Sequence, residues 1–271
     1  MISDAPQPGQ PQTFSHFCHL LITADWEKSD GPLRLAADLT LPDLAHAHFF
    51  LNARVFLAAL AENDGAPATA TGNLNRKFIA GIFDSLKLSI PYLQSIHTVC
   101  KVINEWDLWP LHLVRVVSES AGLVARRKGK FQLTKTGRAL LPEDQVGALF
   151  RKLFIAYFRR FDLRYDFHLR DVPDIQRTIP AILWRLHAIA RDWKPVQGLA
   201  PEVLLPGVLE QMHKVMTYAH DTEEWILAGY VLNPLFNLGL IERKEKTEWS
   251  GITDKDVIRI TEVWRKFITF P

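Results

Sequence analysis

Residues 108–141 read LWPLHLVRVVSESAGLVARRKGKFQLTKTGRALL, and the order of signals in this stretch decides the fold. Asp107 is a plausible N-cap and Pro110 suits a first turn, so Leu111, Val114, Val117 and Ala121 fall on one face of a helix that closes at Gly122. Leu123-Val124 then opens an extended segment. The basic run Arg126-Arg127-Lys128-Gly129-Lys130 turns it, Phe131-Gln132-Leu133 returns, and Thr134-Lys135-Thr136-Gly137 starts another helix. Helix, hairpin, helix is the plan of a winged helix.

Upstream, Leu41-Pro42-Asp43 is expected to start a helix running to Glu62, with Phe49, Phe50, Ala53, Phe56, Leu57 and Leu60 on its apolar face. Asn63-Asp64-Gly65 ends it and Ala66 to Thr71 is short and extended. Thr71-Gly72-Asn73 is expected to cap a second helix whose stripe is Leu74, Phe78, Ile79, Ile82, Phe83 and Leu86, and Ser89-Ile90-Pro91 breaks it.

The pattern recurs. Gly122-Leu123-Val124 is matched by Gly239-Leu240-Ile241, and Leu133-Thr134 with Arg138, Leu140 and Leu141 by Ile260-Thr261 with Arg265, Phe267 and Ile268, so the second hairpin is the longer one. Helical patterns at Ile179 to Trp193 and Val203 to Tyr218 precede it. The expected fold class is mainly α with short β-hairpins: two tandem, diverged winged-helix units packed on a bridging helix. Its divisions are a tail and packed segment (1–40), a first unit (41–145), the bridging helix (146–172) and a second unit (173–271). The bridge, VGALFRKLFIAYFRRFDLRYDFHLRD, is apolar over much of its circumference and should be sandwiched. Its cations Arg151, Lys152, Arg159, Arg160, Arg164 and Arg170, set among aromatics, would suit a nucleic-acid backbone or simply a charged edge.

With 271 residues, 48% of them hydrophobic, the chain can fill substantial cores, and a net charge of +2 excludes a polycation that coats nucleic acid indiscriminately. Any anionic partner must meet a local patch. The two cysteines, Cys18 and Cys100, form no ligand or redox spacing, and the cluster His16, Cys18, His19 lacks a distant fourth ligand. No metal or cofactor is expected. With no leader pattern and no run near the roughly 18 apolar residues of a membrane span, a soluble cytoplasmic protein is expected.

Asn104-Glu105-Trp106-Asp107, Ala121-Gly122-Leu123-Val124, Leu133-Thr134-Lys135-Thr136-Gly137-Arg138 and the earlier Thr69-Ala70-Thr71-Gly72-Asn73-Leu74 together resemble a group of uncharacterised bacterial, winged-helix-like proteins. The likeness is to the helical region that follows the small domain in plasmid-type hypothetical proteins. It covers about residues 49 to 145, extends to the second half only through the repeat, and implies no established activity. The Leu-Thr-x-x-Gly exit also resembles bacterial winged-helix regulators, in which it ends the wing.

Two function classes follow. Binding of double-stranded DNA would rest on Arg126, Arg127, Lys128 and Lys130 at the hairpin tip and on Arg115 in the preceding helix, beside His112, Ser118, Glu119 and Ser120. The equivalent second helix, Gly229 to Phe236, is almost uncharged and carries Pro234, which would break or kink it, so it suits burial against protein. The competing class is a protein partner or homodimer, with Trp225, Tyr230, Phe236 and Trp249 as contact aromatics. Catalysis is not expected. The chain has no Walker loop, HExxH or Gly-x-Ser-x-Gly elbow, and Asp221-Thr222 reads as a helix cap rather than as part of a site with His220, Glu223 and Glu224.

Overall fold

A computed structural model describes residues 11–165, 170–218, 221–245 and 251–271, and shows a mainly helical chain with a few short antiparallel strands. Helix α1 (Pro11–Thr23) leads into β1 (Arg34–Leu35) and then α2 (His48–Glu62). The start of α2 corrects the sequence expectation. Residues 41–46 form turns, because the Asp43 carboxylate accepts both the Thr40 N–H (2.9 Å) and its hydroxyl (2.8 Å), and the helical apolar stripe begins only at Phe49. From there every expected stripe residue is buried. Asp64 (φ 50°) and Gly65 (φ 99°) then reverse the chain, the Gly65 N–H donating to the Leu60 carbonyl at 2.8 Å.

Strand β2 (Ala66–Pro67) precedes α3 (Arg76–Ile82), whose cap is Asn75 rather than Thr71 to Asn73: its side chain accepts the Phe78 N–H at 2.9 Å. Ser89 caps a further helix, α4 (Ile90–Val99), in which only Ile96 is buried. Next come α5 (Trp109–Ser120), β3 (Val124–Arg127), β4 (Lys130–Leu133), α6 (Lys135–Ala139) and α7 (Val146–Ile155). The hydrogen-bonded strand order is β2-β4-β3, all antiparallel.

The second half holds α8 (Ile175–Ile189), β5 (Lys194–Pro195), α9 (Ala200–Val203), α10 (Pro206–Val215), α11 (Glu223–Leu227), α12 (Asn233–Asn237), β6 (Ile241–Arg243), β7 (Val257–Ile260), α13 (Glu262–Phe267) and β8 (Ile268–Thr269). Its sheet is β5-β7-β6. The agreement extends to single atoms. Gly122 and Gly239 share φ 70°, and the Thr134 and Thr261 N–H groups donate to Leu123 and Leu240 at 2.9 and 3.0 Å. Their hydroxyls donate to Gly122 and Gly239 at 2.7 and 2.8 Å, and accept the N–H of Gly137 and Trp264. Thr134→Ala and Thr261→Ala should therefore cost similar amounts, about 1 kcal/mol each, in urea unfolding. A loss at one position with none at the other would break the equivalence.

The regular helix is interrupted before Pro234, which stands in the first turn of α12. A π-helical turn over Ala228–Leu232 joins α11 to α12 and keeps the chain helical into the proline. A second π-helical turn, Ala156–Arg160, extends α7. That helix is sandwiched as its pattern requires. Phe150 packs on Phe50 of α2 and on Phe267 of α13, Phe154 on Phe267 and Trp26, and Tyr157 on Phe49. The buried apolar side chains form one cluster spanning both halves. β1 pairs with β8, which ties the N-terminal segment to the C-terminal one. Among the described residues no helix is long and apolar enough to cross a membrane.

Candidate nucleic-acid interface

The hairpin of β3 and β4 is held by its buried residues Val124, Phe131 and Leu133 and turned by Lys128-Gly129. Both turn residues have positive φ, 48° and 74°, as the two-residue turn matched to strand twist requires. Arg126, Arg127, Lys128 and Lys130 are all exposed, and among the described residues none of them is in an ion pair. Arg127 and Lys130 are directly paired across the strands and share a face. Arg126 lies opposite Phe131 on the other face, with its guanidinium against Gly72. The tip is thus a compact set of four cations with no internal neutralisation.

Arg115 does not join them. It is buried, donates from Nε to Glu105 at 2.6 Å, also pairs with Glu119, and lies over the Phe131 ring at 5.0 Å. Removing a guanidinium from water requires such partners, and they leave it nothing to offer a phosphate. His112 and Ser118, also expected at a contact surface, are fully buried, and no residue of α5 is exposed.

The hub of this interior network is Glu105, which had no role in the sequence reading beyond the resemblance. One carboxylate oxygen accepts from His112 Nδ1 and from Arg115 Nε, both at 2.6 Å, and the other accepts the Leu74 N–H. Burial alone would push its pKa up, but the bonds from His112, Arg115 and Leu74 hold it below the ordinary value. His112 Nε2 lies 2.9 Å from the Tyr165 hydroxyl, and its ring is stacked by Trp106 at 4.1 Å. Glu105 lies on a loop rather than at helical spacing, and Tyr165 is 53 residues from His112, so periodicity gives no sign of the cluster.

Above the hub lies a cleft of 540 Å³ lined by Thr69, Thr71, Asn73, Asn104, Trp106 and Asp107, among others. The two loops that form it are stiffened internally. Asp107, instead of capping α5, accepts the N–H and side-chain amide of Asn104 at 2.8 and 2.9 Å. Asn104 in turn accepts from Arg76 Nε at 2.9 Å, while the Thr69 hydroxyl accepts the Asn73 N–H at 3.0 Å.

The cations of the bridging helix are largely engaged. Arg151 donates to the carbonyls of Trp26 and Glu27, Arg160 pairs with Glu27, Arg164 with Asp162, and Arg170 with Asp221. The Arg170 bonds hold the Asp221 carboxyl well below its usual range. Glu223 bonds His213 and Glu224 accepts the Gly198 N–H, so these acids do not converge, and Thr222 caps α11; His220 lies outside the described residues. Of the aromatics, Tyr230 is buried and donates to the Arg170 carbonyl at 2.6 Å, Trp225 and Phe236 are half-buried, and Trp249 lies outside the described residues. Cys18 points inward while His16 and His19 are exposed, and among the described residues no group of three or more His, Cys, Asp or Glu side chains is placed to hold a metal.

Residues 45–147 match the family model described as the Y4jL N-terminal domain. The uncharacterised protein y4jL of Sinorhizobium fredii (strain NBRC 101917 / NGR234) is 30% identical over 115 residues, which is 42% of this chain and 51% of that protein. The chain therefore spans about half the length of the curated relative it matches. No solved structure matches it. These matches support a relationship between the first half of the chain, which holds both the basic hairpin and the Glu105 hub, and an uncharacterised bacterial family.

Proposed function

We propose that the chain is a tandem pair of diverged winged-helix units and that the first grips a nucleic-acid backbone, double-stranded DNA included, with its hairpin. The observation that carries this is the exposed tip of four cations lacking an ion-pair partner among the described residues. Counterion release on meeting phosphates then favours binding, and no buried charge has to be freed first. With α5 covered, base edges in a major groove are not read by that helix, so contact is through the backbone and depends little on sequence. The tandem assignment rests on the matched strand orders and the matched Gly and Thr hydrogen bonds. In the test, Arg126, Arg127 and Lys130 become Ala and Lys128→Asn keeps the left-handed turn. Duplex affinity at low salt should fall by about ten-fold or more; unchanged affinity removes the proposal.

A second reading is a protein partner held between the halves. It rests on a groove of 1210 Å³ lined by Trp109 and Leu113 from the first half and by Trp225 and Phe236 from the second. Light scattering tests self-association: a strict monomer excludes the homodimer form of this reading.

A further inference from the structure

The cleft beside the hairpin has a chemistry that backbone contact does not use. Trp106 is 50% exposed although its ring is stacked on a buried, doubly anchored imidazole, so an open aromatic surface is held rigidly at the cleft wall. Around it stand Thr71, Asn73, Asn104 and Asp107; Asn104 is bonded to Asp107 and Arg76, and Asn73 Nδ2 to the Thr71 hydroxyl, yet each amide keeps a second N–H and a further oxygen lone pair for a ligand. The volume of 540 Å³ is that of a small-molecule site. One of the hairpin cations lies next to the cleft, because the Arg126 guanidinium rests against Gly72, between the wall residues Thr71 and Asn73.

Resting on the hairpin reading above, we propose that this cleft receives an unpaired nucleobase, stacked on Trp106 and hydrogen-bonded by the Asn73 and Asn104 loops, while the hairpin holds the adjoining phosphates. Base stacking on an aromatic side chain tolerates any base, and amide side chains can pair with an exposed base edge. The protein then binds single-stranded or locally unpaired nucleic acid better than an intact duplex.

The test titrates the full chain against three labelled probes: a single strand of mixed sequence, its intact duplex, and the same duplex carrying a one-nucleotide bulge. The bulged duplex and the single strand should bind more tightly than the intact duplex. Trp106→Ala should weaken those two by about five- to thirty-fold, leave the intact duplex within about two-fold as the check on folding, and be largely rescued by Trp106→Phe. Equal binding of bulged and intact duplex, or a Trp106→Ala variant that weakens all three probes alike or none, overturns the base site. If the intact duplex still binds and depends on the hairpin, the backbone reading survives that failure. Absence of binding to any probe removes both.

Discussion

Glu105→Ala is expected to destabilise the protein by about 3–5 kcal/mol, because it removes the shared acceptor of a buried network. Arg115 would keep Glu119 and a 3.4 Å contact with His112 Nδ1, His112 would lose its 2.6 Å carboxylate partner, and the Leu74 N–H would be left buried without one. Glu105→Gln keeps the shape and an acceptor but loses the charge, so about 2 kcal/mol is expected. The pH dependence has a defined sign. The folded Glu105 titrates below its ordinary value of 4.5, so its stabilisation is fully present above that pH and is lost as the pH falls through the folded value. The stability gap between wild type and Glu105→Gln should be constant at neutral pH and shrink below about 4.5. Urea midpoints measured across this range decide the matter; a loss under about 1 kcal/mol for Glu105→Ala would show that the network is not a structural hub.

Phe267→Ala is expected to have an effect of similar size through packing instead of charge. The ring is fully buried and meets Phe150 at 4.8 Å and Phe154 at 5.0 Å, on successive turns of α7. Truncating it removes the transfer free energy and leaves a cavity that a helix held on several sides cannot close, about 3–5 kcal/mol in total. Because the two halves share this one core, the variant should still unfold in a single transition, with helix circular dichroism and tryptophan fluorescence changing together. Separate transitions, or a loss below about 1.5 kcal/mol, would mean that the halves are stabilised independently.

What could be read directly from the residues was local. The stripe of α2, the Gly122 exit, the Thr134 cap and the hairpin turn are each set by a few neighbouring side chains, and each stands where expected. The Gly-Leu exit and the Thr cap of the second half are legible for the same reason, and both stand where expected, with Gly239 at φ 70° and Thr261 capping α13. Boundaries governed by one side-chain hydrogen bond were not legible. Asp43 turns the chain on Thr40 instead of starting a helix, and Asn75 rather than Thr71 caps α3. The π-helical turn before Pro234 was equally hidden, because periodicity assumes the ordinary helical step.

The candidate site divides in the same way. The exposed hairpin cations need no tertiary partner, so the local sequence describes them well. Arg115 reads as a surface cation in the sequence because its chief counter-charge comes from a loop ten residues earlier, although Glu119 stands one helical turn on. The cations of the bridging helix read equally as phosphate contacts or a charged edge for a similar reason: Glu27 and Asp221, which engage Arg160 and Arg170, lie 133 and 51 residues away. The cleft was invisible because Thr69 to Asn73 and Asn104 to Asp107 meet only in the folded chain.

Nucleic-acid binding through the hairpin is tested most directly by the salt dependence of duplex affinity. Four phosphate contacts predict that the logarithm of the association constant falls against the logarithm of salt concentration with a slope of about −3 to −4. The four-residue hairpin variant should lose most of that slope. A wild-type slope near zero, or a slope that the variant leaves unchanged, would contradict the assignment of the hairpin as the nucleic-acid contact.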